Sequence, residues 1–115
     1  MQYTFERHSD TIGIFQLEGN LIGERDGMEL TDVTNEELQD GLRYFVIDLS
    51  QLQHINSSGL GALTMLLTKI RKKEGELVLV QPSDYIRNLL VITKLDRIFT
   101  IYASVEDAVA ALEAT

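Results

Sequence analysis

At 115 residues, with 44% hydrophobic and 24% charged content, the chain is long enough for one packed domain and too short for two. A net charge of −8 argues against a nucleic-acid partner, and the absence of cysteine excludes disulfides and thiolate metal sites and fits a cytoplasmic setting. No apolar run approaches a membrane span and "MQYTFERHSD" lacks the apolar core of a secretory signal, so no membrane association is expected.

"YTFERH" alternates Tyr3 and Phe5 with Thr4 and Glu6, the period of a half-buried strand. "TIGIFQLEG" reads as a second strand closed by Gly19-Asn20, joined to the first in a hairpin through His8-Ser9-Asp10. From about Glu24 to Gln39, Met28, Leu30, Val33 and Leu38 lie among good helix formers, and Gly41 supplies a stop. This segment is strongly acidic: Glu24, Asp26, Glu29, Asp32, Glu36, Glu37 and Asp40 face only Arg25. Such a run is a solvated helix face or a surface that steers a basic partner.

"YFVIDL", Tyr44 to Leu49, is the continuous apolar run of a strand buried on both faces. Leu60, Leu63, Leu67 and Ile70 then recur at helical spacing. The cationic cluster Lys69, Arg71, Lys72 and Lys73 suits that helix's C-terminal dipole, with Gly75 just beyond. "ELVLVQ" is a further buried strand stopped by Pro82, and Ser83 caps a third helix to about Thr93. "IFTIY" is a last short strand, and Ser104 opens a final helix carrying Ala108, Val109, Ala111 and Leu112. Strands alternating with helices predict a single α/β domain over residues 1–115, a mixed central sheet with four helices.

Between the buried strand and the second helix lies "HINSSGLGAL". Asn56, Ser57 and Ser58 can each cap the helix, but capping does not account for Gly59 and Gly61, each costing about 1 kcal/mol against alanine. The glycines serve either tight packing on the sheet or close approach of another chain. A serine nucleophile would need an oriented base, and the only candidate nearby is His54, placed in the loop; Asp48, His54 and Ser57 would crowd one turn. G-x-S-x-G and the P-loop pattern are both absent, and no His/acid cluster has metal-ligand spacing, so neither cofactor nor metal is expected. A phosphoacceptor is the third possibility, because a helix N-terminus offers free N–H groups and a positive dipole end to a phosphoserine.

"FVIDLSQLQHINSSGLGAL" resembles the signature of the STAS domain, the fold of bacterial anti-sigma factor antagonists, in which a buried strand leads to D-S-S-G or D-S-T-G and a helix. The tail "LLVITKLDRIFTIYASVEDAVAAL" is similar to the family too, and the likeness spans about residues 11 to 112. The resemblance implies a non-enzymatic protein that works by partner switching. Unphosphorylated, it would bind a serine kinase that doubles as an anti-sigma factor; ATP-dependent phosphorylation of Ser57 would release it, and a serine phosphatase would reset it. Asn56, Ser58, Gly59, Leu60, Gly61, Asn20 and Leu21 are the expected partner contacts, with the Gln81–Ser83 loop nearby. Asn56 stands where the family carries an acid, and Ile22 where a G-x-L-D pattern places another. An unphosphorylated STAS scaffold for a signalling or transport protein is the alternative, and a small serine hydrolase a remote one.

Overall fold

The computed structural model describes all residues, Met1–Thr115. Five strands, β1 (Gln2–Arg7), β2 (Ile12–Leu21), β3 (Tyr44–Ile55), β4 (Glu76–Val80) and β5 (Thr100–Tyr102), form one sheet in sequential order. β1 pairs antiparallel with β2 and every later pairing is parallel, giving the expected mixed sheet. The hairpin turn falls at His8–Asp10, where Ser9 Oγ accepts from the Ile12 amide at 3.1 Å.

The parallel pairings require crossovers, supplied by α1 (Glu24–Gln39), α2 (Ser57–Lys72) and α3 (Asp84–Ile92); α4 (Val105–Glu113) closes the chain. One core gathers Phe15, Phe45, Ile47, Leu30, Leu63, Leu67, Ile86 and Leu90 between the sheet and the first three helices. A smaller one packs Ile12, Val46, Val78 and Val80 against Ala108, Val109 and Leu112 of α4 on the opposite face. The period-two alternation of β2 and β3 thus feeds two separate cores. No helix is long and apolar enough to cross a membrane.

Several expectations need correction. β3 runs six residues past Leu49, because two bulges place an extra residue against β2 between the Gln16–Asp48 and Glu18–Gln51 pairs and again before Asn20–His54. Each bulge re-phases the alternation. Leu49, Leu52 and Ile55 therefore enter one core at intervals of three while Ser50, Gln51, Gln53 and His54 face solvent. β2 likewise continues through Asn20 to Leu21. Gly75 does not take the left-handed position after α2. Glu74 does, at φ 64°, while a Cβ on Gly75 would overlap the Arg43 carbonyl. The last strand shortens to Thr100–Tyr102 because Leu95–Arg97 forms a 3-10 turn, with the Phe99 amide donating to Leu95 O. Met28 on α1 is exposed.

Candidate functional site

The serines sit where the sheet hands over to α2. Asn56 has extended backbone, and its Oδ1 accepts from the Gly59 amide at 2.9 Å, the geometry of an N-cap. The Leu60 amide bonds to the Asn56 carbonyl at 2.9 Å as the first intrahelical bond. The earlier amides of a helix have no carbonyl one turn back, so those of Ser57 and Ser58 are left for solvent or an anion. Both serines are exposed, and no acid lies in the first turn of α2 to compete for its positive end. Asn56→Ala should cost about 1 kcal/mol in thermal or denaturant unfolding, whereas Asn56→Asp, which keeps the capping oxygen, should stay within about 0.5 kcal/mol of the parent.

The other anticipated contacts divide into two groups. Gly59, Leu60 and Leu21 are buried and belong to the packing of α2 on β2 and β3. A Cβ on Gly59 would collide with the Leu21 carbonyl oxygen and stand 2.7 Å from Ile55 Cγ1, so this glycine serves the tight helix–sheet contact. The side chains of Leu60 and Leu21 therefore face the core and not the solvent. Gly61 is different: it is exposed and has nothing within 4 Å of where its Cβ would lie. Asn20 pairs with His54 across the parallel ladder, and its Oδ1 is buried without a hydrogen-bond partner.

His54 lies on β3, not in a loop, and its ring meets Tyr85 edge-on with centroids 5.7 Å apart. Asp48 accepts from the Ser50 amide at 2.9 Å and from Gln16 Nε2 at 3.4 Å, six residues back along the strand. At about 3.3 Å per residue that separates it from His54 by roughly 15–20 Å. Asp48 and His54 are thus separated along β3 and not crowded into one turn with Ser57 as expected from the sequence.

Around the serines the structure adds Tyr85, which motif reading missed, and gives Ile22, noted in the sequence only for a lost acid, an exposed apolar side chain. Ile22, 49% exposed, follows Leu21, whose pairing with Ile55 brings the β2–α1 loop beside the start of α2. Tyr85, 51% exposed, reaches the site through His54. Within the Gln81–Ser83 segment Gln81 spends its amide on the Ala103 carbonyl at 2.6 Å and Pro82 is buried, so it is the first turn of α3 that flanks the motif. An exposed isoleucine and tyrosine beside two free hydroxyls make a small mixed surface of the kind that anchors a protein partner.

A model of the STAS domain matches residues 5–108. A Thermotoga maritima protein provisionally named an anti-sigma factor antagonist is 33% identical over 76 residues, 66% of this chain and 67% of its own. The solved structure of an anti-sigma factor antagonist from Mycobacterium paratuberculosis superposes with a TM-score of 0.81 at 26% identity, covering 97% of this chain and 93% of that one. The anti-sigma factor antagonist SpoIIAA, solved in its unphosphorylated form, gives a TM-score of 0.85 over 99% and 98% of the two chains at 16% identity, a likeness of fold. Its phosphorylated form, from Bacillus, gives 0.77 at 17% identity over 96% and 98%.

Proposed function

The chain belongs to the STAS domain family, and from that premise we propose that it is an anti-sigma factor antagonist switched by phosphorylation of Ser57. Unmodified, it binds a serine kinase that also holds a sigma factor, and so frees that factor in the cytoplasm. The kinase then transfers the γ-phosphoryl group of ATP to Ser57 Oγ. A phosphorus–oxygen bond forms there as the bond to the β-phosphate breaks, and ADP and a proton leave. A serine phosphatase hydrolyses the ester and restores the binding form.

The observation that carries this reading is the position of Ser57 as the first residue of α2, exposed and flanked by free amides, just after a cap made by Asn56. A phosphate there is held by the helix end without disturbing either core. A partner seated on Ile22, Tyr85 and the neutral serines would instead meet a bulky dianion. On this reading the protein is substrate and ligand, and the kinase and phosphatase supply the chemistry. The unphosphorylated scaffold is kept in view by Asn56 and Ile22, which replace two acids of the family pattern. Titration calorimetry against the kinase in ADP should show saturable binding that disappears after incubation in ATP. Binding that persists unchanged after ATP would favour the scaffold.

A further inference from the structure

On the far side of α2 from Tyr85, α1 and α2 enclose an open groove of about 610 Å³. Ser58, Gly61, Ala62 and Met65 line it from α2 at intervals of three and four, and Glu24, Gly27, Met28 and Asp32 do so from α1, so each helix presents one face. The floor is made of small residues because the helices approach closely: a Cβ on Gly27 would lie 2.9 Å from Ala62 Cβ. Met28 and Met65 form the walls, 63% and 60% exposed, with no element of the fold above them. Gly61 weakens its helix, yet the empty space around it shows that intramolecular packing does not require a glycine there.

The rim sets the sign of the occupant. Glu24 and Asp32 belong to the groove, Glu29 and Glu36 lie elsewhere on α1, and none of the four is in an ion pair. After Arg25, α1 carries no basic residue. An apolar floor between flexible methionines with an acidic rim complements a helix that shows apolar residues on one side and Lys or Arg beside them. An anionic membrane surface would be repelled by the same rim. We propose that the α1–α2 groove docks a basic amphipathic helix of a partner protein. From Ser58 to Met65 the groove runs about 10 Å, so about two turns of the guest engage it. This surface adjoins the Ser57 switch at Ser58 but does not depend on phosphorylation.

The test uses the full chain labelled with 13C in the methionine methyl groups, where Met1, Met28 and Met65 give separate reporters. A synthetic helical peptide of Leu and Lys in amphipathic order should shift the Met28 and Met65 signals saturably and leave Met1 in place. The same peptide with Glu for Lys should do nothing. Met28→Ser with Met65→Ser, both at exposed positions, should weaken the Lys peptide at least about tenfold while amide spectra stay native. Gly61→Leu, whose Cβ meets nothing within 4 Å and whose side chain occupies the floor, should do the same. Equal binding of both peptides, shifts confined to Met1, unchanged affinity in the variants, or stronger binding to phosphatidylglycerol vesicles than to the Lys peptide would each overturn the proposal.

Discussion

Gly59→Ala should lower the melting temperature by roughly 8 °C, and Gly61→Ala, two residues along the same helix, should raise it by about 2–4 °C. A methyl group on Gly59 runs into the Leu21 backbone oxygen and the Ile55 side chain, and neither a backbone atom paired in the sheet nor a core isoleucine can retreat cheaply. Overpacking of this kind costs about 1–3 kcal/mol, and a backbone collision puts it at the upper end. Better helix propensity returns about 1 kcal/mol, leaving a loss of about 2 kcal/mol. Against a total stability of about 5–15 kcal/mol that is a large fraction, and for a domain of this size it corresponds to roughly 8 °C. At Gly61 the same methyl meets nothing within 4 Å, so only the propensity gain of about 0.5–1 kcal/mol remains. Differential scanning calorimetry of the two variants separates the roles of the two glycines. Equal melting temperatures would mean that α2 can slide on β2 and that Gly59 is not a packing residue.

Ser57→Asp should fold normally yet bind the kinase partner about a hundredfold more weakly than the parent, while Ser57→Ala should bind tightly and stay bound in ATP. Ser57 is exposed and makes no side-chain hydrogen bond, so neither change disturbs the core. The carboxylate of the Asp variant sits at the positive end of α2, where a negative charge is favourable by about 0.3–1 kcal/mol. Its cost falls on the complex, where a charge must be desolvated against a surface that fitted a hydroxyl. A loss of about 3 kcal/mol there is roughly a hundredfold in affinity. Surface plasmon resonance gives the ratio directly, and a change below about threefold for Ser57→Asp would place the partner's contact elsewhere.

Most of the architecture was legible because the apolar runs and helical stripes are long and agree with their caps. Ser83 and Ser104 each accept from an amide three residues on, as their sequence positions suggest. What was lost is instructive. The polar pairs Ser50–Gln51 and Gln53–His54 break the alternation that identifies a strand, and only the pairing with β2 reveals that bulges carry β3 on to Ile55. That error misplaced His54 in a loop and made a crowded triad look like the obstacle to catalysis. In the site, Asn56, Ser57 and Ser58 were readable from capping chemistry, but Gly59 and Gly61 could not be told apart. Their difference depends on which face of α2 meets Leu21, and Leu21 lies far away in the chain. Tyr85 carries no motif, and Ile22 stood out only as the place of a missing acid; the pairing of Leu21 with Ile55 and the His54–Tyr85 ring contact bring them to the serines.

The central claim is that Ser57 is the residue on which partner choice turns. Incubation of the purified chain with its cognate kinase and ATP, followed by site mapping with mass spectrometry, tests it most directly. The account predicts one phosphate per chain on Ser57, none on Ser58, and release of the kinase in step with its appearance. Phosphate on Ser58 alone would move the switch to the groove side of the helix start, and an unmodified chain that still binds the kinase would contradict the switch altogether.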